Sequence, residues 1–240
     1  MKILAINGSP NRTGSTAILL DLLLDTCSKA GAQCEKVNLE DYSILGCKNC
    51  AKCIKSGGCL QNDDFMQLKA KMLDADGIIV GSPYYGGKPT LQLKLFLDRL
   101  SISSATNCPF SGKYIVGVAS SAVSDCRKLA SYCANLGLIG IIGNGIVSGI
   151  LYEGMVLPEG VKDMADDEEI RIKTRKIAKK LIEDIKGKQV PLKNKLKCFA
   201  FRKWPGRLVM RVCIRMDRLS NKVREYCEDK GWVKDVIRME

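Results

Sequence analysis

Four cysteines fall within thirteen positions in GCKNCAKCIKSGGCLQNDDF (46–65), spaced C-x2-C-x2-C-x5-C. Cys47, Cys50, Cys53 and Cys59 are candidate metal ligands, because thiolates are soft donors that select zinc or iron–sulfur clusters. Three cysteines at two-residue gaps can aim their thiolates at different irons of one cluster. Gly57 and Gly58 then let the chain turn back so that Cys59 supplies the fourth bond. Tetrahedral zinc more often uses two separated CxxC knuckles. A loop of free, redox-active thiols is the third reading. Asp63 and Asp64, just beyond, are expected to cap the next helix.

A second stretch, GSPNRTGST (8–16), follows a short apolar run and precedes a helical pattern. Ser9, Ser15 and Thr16 offer hydroxyls and Gly14 lets backbone come close. The following helix N-terminus presents unpaired N–H groups, so the loop suits a terminal phosphate or can be a plain capped turn. It matches neither GxxxxGK[ST] nor GxGxxG. GSPYYGGKPT (81–90) places two tyrosines between a proline and two glycines, where they can wall a planar ligand or cover the sheet end. ASSAVSDC (119–126) supplies small hydroxylated residues. The chain has no histidine. That excludes Ser-His-Asp triads and every His-ligated metal site. Chemistry that belongs to a cofactor needs none of these.

These stretches require a frame. KILAIN (2–7), CEKVNL (34–39), GIIVGSP (77–83), KYIVGVASS (113–121) and IGIIGNGIVS (139–148) read as strands. Helical patterns over 16–31, 63–76, 90–102, 125–137 and 166–187 alternate with them, the last with acids first and bases last. Strands alternating with helices predict an α/β parallel sheet covered on both faces, with ligands bound at the strands' carboxyl ends. Length and composition fit a globular core: 240 residues, 46% hydrophobic, 27% charged. MKILAINGSP is too short in apolar residues for a signal peptide. The apolar stretch 136–151 is too short for a bilayer and holds five glycines. A cytoplasmic protein is expected. Twelve cysteines in such a chain do not imply disulfides. Cys27, Cys34, Cys108, Cys126 and Cys133 read as small hydrophobes.

GSPNRTGST followed by SPYYGGKPTLQLKLFLDR resembles the NADPH-dependent FMN reductase family, whose pattern runs close to GSPRxxGNT and then PVYxGxxSAxLKxFLDR. The resemblance spans roughly 1–187. It implies a flavodoxin-like, doubly wound five-stranded parallel sheet of order 2-1-3-4-5. By carry-over, Ser9, Asn11, Arg12, Gly14, Ser15 and Thr16 would hold the FMN phosphate. Pro83, Tyr84, Tyr85, Gly86 and Gly87 would line the isoalloxazine, with Ser120 and Ser121 on its other flank. Asn11 stands where the family has arginine, Ser15 where it has asparagine, and Pro89 and Thr90 replace a small pair. Arg12 can supply the displaced charge.

The cysteine motif followed by NDDF resembles the iron–sulfur flavoproteins of the same family. There, equivalent cysteines bind a [4Fe–4S] cluster beside FMN. The resemblance implies an FMN-dependent oxidoreductase passing electrons from NAD(P)H or reduced ferredoxin to a small acceptor (quinone, flavin, oxygen or peroxide). It also implies a homodimer or homotetramer in which FMN and cluster meet across the subunit interface. No nicotinamide-binding motif is present, and no acid–base catalyst is named. The alternatives are a non-enzymatic electron-transfer flavoprotein, a cluster-free NAD(P)H:FMN reductase, or a flavin-free binding module.

Net charge is +12 and lies mostly at the end of the chain. Residues 1–187 hold 23 basic and 20 acidic side chains, and 188–240 hold 15 and 6. The expected organisation is an FMN-binding domain over 1–187, with the cysteine loop at 46–62, and a basic helical extension over 188–240. There, Leu208, Val212, Met216 and Leu219 recur beside Arg207, Arg211, Arg215 and Arg218 at helical steps. Such a helix can pack on the domain or a sister subunit, or dock an acidic partner or an anionic membrane. REYCEDKGW (224–232) resembles the tails of longer reductases and favours packing. Neither nucleic acid nor a membrane surface is expected as a partner.

Overall fold

A computed structural model describes residues 1–50, 52–56, 58–104, 110, 112–136, 146–154 and 163–188. The extension expected over 188–240 falls almost wholly outside the described residues, as do Cys108 and Gly57.

Five strands form one parallel sheet: β1 (Lys2–Asn7), β2 (Gln33–Asn38), β3 (Gly77–Pro83), β4 (Tyr114–Ser120) and β5 (Ile146–Glu153). Their order is β2-β1-β3-β4-β5, the doubly wound flavodoxin-like order. Burial on both faces is read directly along β1. Leu4 and Ile6 point into one core and Ile3 and Ala5 into the other. Such double burial explains why β1 and β3 are near-continuous apolar runs. The helices α1 (Ser15–Lys29) and α6 (Glu168–Lys186) cover one face. On the other lie α3 (Phe65–Asp74), α4 (Leu91–Ser104) and α5 (Arg127–Ala134). A short helix, α2 (Lys52–Ser56), sits inside the cysteine loop. Among the described residues no helix is long and apolar enough to cross a membrane.

The last strand differs from expectation. It runs Ile146–Glu153, past the end of the expected 139–148, and the part of that expectation over 139–145 lies outside the described residues. As an edge strand with an irregularity, β5 shows no clean alternation. Its register against β4 shifts between Ile115 and Val116, passing from Val147 to Gly149. That irregularity hides the polar half, Tyr152 and Glu153, from a search for apolar periodicity.

The helix after the cysteine loop begins at Phe65, but neither aspartate before it is chiefly a cap. Asp64 Oδ2 accepts from the Ser43 N–H at 2.7 Å. Asp63 Oδ1 accepts from Phe65 N–H at 3.2 Å, while its Oδ2 accepts from Leu45 N–H at 2.8 Å and pairs with Arg99 Nη1. Both members of that ion pair are almost fully buried, with side chains 1% and 2% exposed. Arg99 also donates to the Leu45 carbonyl at 3.2 Å and lies 4.2 Å over the Phe65 ring. One buried pair thus joins α4, the entry to the cysteine loop and the start of α3.

Burial pushes the Asp63 carboxyl up, but the hydrogen bond and charge of Arg99 and the N–H groups of Leu45 and Phe65 outweigh it. The group is held below the usual carboxylate range. Its stabilising share is therefore complete above the unfolded-chain value of about 3.9 and is lost as pH falls through the lower folded value. Asp63→Asn leaves a buried guanidinium unpaired and should lower stability at neutral pH by about 3–5 kcal/mol. Denaturant unfolding between pH 7 and about 2 checks both points: the gap between wild type and variant should close on the acid side. A gap independent of pH would exclude the charge as its source.

Candidate functional site

Because every strand is parallel, the loops after β1, β3 and β4 all emerge at one edge of the sheet. They enclose a cleft of about 680 Å³. Gly8 lets the first two loops touch. Its N–H donates to the Gly81 carbonyl at 2.8 Å, and a Cβ there would stand 2.9 Å from Leu93 Cβ. Thr90 closes the junction from the other side, its hydroxyl donating to the Gly8 carbonyl at 2.5 Å.

The floor of the cleft is the start of α1. Gly14 occupies the N-cap position and no side chain caps the helix. The first N–H groups are therefore orphan donors, and the positive end of the helix dipole faces the opening. Ser9, Gly14, Ser15 and Thr16 line this floor. Thr16 Oγ1 and Ser120 Oγ share a hydrogen bond of 2.7 Å, which ties the β1 and β4 loops together. Asn11 also lines the cleft, but its Oδ1 is spent within the loop, accepting from Thr13 N–H at 3.0 Å. Arg12 is not part of the lining; it pairs with Asp41 beyond β2.

Pro83, Tyr84 and Tyr85 form one wall, and Ser120 and Ser121 the opposite one. Tyr84 N–H donates to the Ser120 carbonyl at 2.8 Å, so the walls are joined at their base. Gly86 and Gly87 lie outside the lining. They are the two central residues of a tight turn, with φ of +53° and +85°, closed by mutual Tyr85–Lys88 hydrogen bonds of 3.0 Å. Both positions need left-handed backbone, which glycine adopts without strain. Their effect is to hold Tyr85 at the rim, 57% exposed. Val123, 80% exposed, faces the cleft from the β4 loop. It escaped the sequence reading together with Thr13 and Ala122, because an apolar residue in a Ser-rich loop carries no signal by type. A smaller hollow at the end of β2 has charged lining groups already paired with residues outside it, Glu35 with Lys71 and Asp41 with Arg12.

The cysteine loop joins β2 to α3 at the same carboxyl edge. Cys47 and Cys50 are exposed, Cys53 is buried on α2 and Cys59 is half-buried. Among the described residues, no three His, Cys, Asp or Glu side chains converge on one metal-binding point. The thiols are nonetheless near neighbours: burial first, and then Cys59, Cys47 and Cys50, push the Cys53 thiol up. Sulfur atoms receive backbone and side-chain donors. Asn49 N–H points at Cys47 Sγ at 3.4 Å, and Gln61 Nε2 at Cys59 Sγ at 3.9 Å. Burial raises the Cys59 thiol, but Gln61 and the Arg99 guanidinium prevail and bring it below its ordinary value. The cysteines of the core behave in the opposite way. Burial pushes Cys27 and Cys133 up to about 12 and Cys126 to about 11, as inert small hydrophobes.

The uncapped helix end, the hydroxyls around it and the depth of the cleft fit a phosphate-bearing planar cofactor. Four thiols with N–H donors and a cation beside them fit a thiolate-bound metal group. Sequence reasoning missed Arg99 and Lys69, which lie beneath the cysteine loop. The only hint was the FLDR tetrapeptide that contains Arg99.

Comparison with known proteins agrees. The NADPH-dependent FMN reductase family matches residues 1–135. An iron–sulfur flavoprotein of Archaeoglobus fulgidus is 31% identical over 192 residues, covering 76% of this chain and 94% of that protein. Another, from Methanocaldococcus jannaschii, is 38% identical over 99 residues, covering 41% of this chain and about half, 51%, of the relative. Among solved structures, a flavone reductase superposes with a TM-score of 0.62 at 21% identity, over 80% of this chain and 66% of that one. An NAD(P)H:quinone oxidoreductase from Methanothermobacter marburgensis gives 0.53 at 18% identity, over 75% and 96%. At such identities the superpositions show the fold alone. The chain belongs to the NADPH-dependent FMN reductase family and is an FMN-dependent oxidoreductase on a flavodoxin-like fold.

Proposed function

We propose that FMN lies in the cleft, its phosphate on the uncapped start of α1 among Ser9, Gly14, Ser15 and Thr16, and its ring between Pro83–Tyr85 and Ser120–Ser121. We further propose that Cys47, Cys50, Cys53 and Cys59 hold a [4Fe–4S] cluster. The chain would then pass electrons from NAD(P)H or reduced ferredoxin to a small acceptor such as a quinone, flavin, oxygen or peroxide. The observation that carries this reading is the pairing, at one sheet edge, of a helix N-terminus that no side chain caps with four neighbouring thiols.

Bound FMN supplies two-electron acceptance and one-electron release, and a thiolate-bound cluster stores single electrons. The chain's own residues position and insulate. Orphan N–H groups of α1 and the Ser15 hydroxyl would bind the dianion with no lysine or arginine among the described residues of the cleft lining. The Thr16–Ser120 hydrogen bond fixes the floor against the Ser120–Ser121 wall, and the Tyr84 N–H to Ser120 carbonyl bond joins that wall to the tyrosine wall. The Gly86–Gly87 turn sets Tyr85 over the entrance, and with Val123 it forms an apolar rim suited to a flat acceptor. No histidine takes part, so protons pass through solvent or hydroxyl groups.

Leu45 and Leu60 flank the cysteine loop and are 48% and 66% exposed, while Leu91 on α4 is 70% exposed. Gly46 packs against Leu95, one turn from Leu91. Exposed leucines around this loop support its being covered by a second copy of the chain. Leu60→Asp should shift the full chain toward monomer in light scattering at micromolar concentration; an unchanged mass would place the interface elsewhere.

Two substitutions separate the cofactors. Ser15→Ala removes one donor to the phosphate and should weaken FMN about tenfold while leaving riboflavin affinity unchanged, as read by flavin fluorescence quenching. Equal losses for both ligands would exclude the phosphate assignment. Cys50→Ala should abolish iron and sulfide in anaerobically prepared protein and leave FMN bound. Iron at wild-type stoichiometry would exclude Cys50 as a ligand. Wild-type protein holding neither flavin nor iron would end the proposal.

A further inference from the structure

The loop after β1 is held from outside the cleft by side-chain hydrogen bonds that cross the end of the sheet. Asn7 ends β1, Asn38 ends β2, and the two are register partners. Asn7 is fully buried. Its Oδ1 accepts from the Ser9 N–H at 3.1 Å, and its Nδ2 donates to Asn38 Oδ1 at 3.1 Å. Asn38 Nδ2 donates to Asp41 Oδ2 at 3.4 Å, and Asp41 Oδ1 accepts from Arg12 Nη2. Arg12 lies in the same loop as Ser9, so the path leaves the loop and returns to it, closing a circuit through β2. Within the circuit the loop is tied to itself. Asn11 N–H donates to Ser9 Oγ at 3.1 Å, and Thr13 N–H donates to Asn11 Oδ1 at 3.0 Å. Asn11 also packs on the N-cap glycine, since a Cβ on Gly14 would stand 3.2 Å from its Nδ2. A displacement at Ser9 or Arg12 is thus passed to the start of α1, where the orphan N–H groups are.

We propose that Asn7, Asn38, Asp41 and Arg12 form a positioning circuit that sets the β1 loop for the phosphate of a flavin nucleotide, with Arg12 acting through Asp41 and not on the phosphate itself. The proposal rests on the FMN reading above. Donors already held in place bind an anion more tightly, because the loop is not ordered at the ligand's expense. The Arg12 and Asp41 side chains are 61% and 38% exposed, and an ion pair so placed adds little to stability. Arg12 and Asp41 together carry no net charge, so what the pair gives the cleft is position and not field. Asn38 is the cleanest probe of that role. It is neutral, it lies outside the cleft lining, and it reaches Ser9 only through Asn7.

The test titrates the full chain, freed of flavin, with FMN and separately with riboflavin, which lacks the phosphate. Binding is read by quenching of flavin fluorescence for wild type, Asn38→Ala and Asp41→Ala, with circular dichroism confirming that each is folded. Both variants should bind FMN about threefold more weakly and riboflavin as wild type does. FMN affinity unchanged in folded Asn38→Ala overturns the proposal. So does tighter FMN binding by Asp41→Ala, because an arginine released from its partner would then be a direct phosphate ligand. Equal losses for both flavins also overturn it, by showing damage to the cleft as a whole. Wild type that does not prefer FMN to riboflavin would remove the phosphate reading itself; wild type that prefers FMN, with both variants unmoved, removes this proposal alone.

Discussion

Parallel pairing of all five strands is the constraint from which the rest follows. A parallel strand can be reached only by a crossover, so each strand's carboxyl end opens into a connecting loop at the same sheet edge. The loops after β1, β3 and β4 are forced together there, and Gly8, Gly81 and Thr90 show how closely they meet. The cost is that both faces of the sheet must be buried. The two cores divided along β1, Leu4 and Ile6 against Ile3 and Ala5, meet it. The cleft is thus a consequence of connectivity, and its walls are rigid because they begin on strands.

The cysteine loop obeys a second constraint. It leaves β2, the edge strand, and has no neighbouring strand on its outer side to lean on. Its support is electrostatic. Asp63 and Arg99 are drawn inside, where a charge pair holds only if its remaining donors and acceptors are met. Leu45 supplies both an N–H and a carbonyl to that pair, and Gln61 donates to the Gly46 carbonyl at 3.1 Å. These bonds fix the two ends of the loop while leaving Cys47 and Cys50 at the surface.

Much of the fold was legible in the sequence, and the exceptions share a physical cause. β1 and β3 begin and end where their apolar runs do, because strands buried on both faces are nearly all apolar, with Asn7 and Ser82 only toward their carboxyl ends. β5 was misplaced because an edge strand with a shifted register carries Tyr152 and Glu153 in its paired half, and these look like loop. The hydroxyls of Ser9, Ser15 and Thr16 could be read from type and position at a βα turn. Asn11 and Arg12 were placed at the phosphate by resemblance alone, since whether an amide or a guanidinium faces the cleft or the loop depends on Thr13 and on Asp41, which is remote in sequence. Asp63 preceding a helix is locally indistinguishable from a cap; its partner lies 36 residues away on another helix. Buried charge is a tertiary property, and no local pattern reveals it.

The absence of histidine gives these buried charges added weight. A chain without histidine lacks the side chain whose ordinary range lies nearest neutrality, so the buried ion pair of Arg99 and Asp63 keeps one charge state there. Arginine suits such a position because a guanidinium stays protonated wherever it is placed, and Asp63, held below the usual carboxylate range, stays charged beside it. The Arg99–Asp63 pair, which joins α4 to the entry of the cysteine loop and the start of α3, therefore holds that loop in the same way across the neutral range.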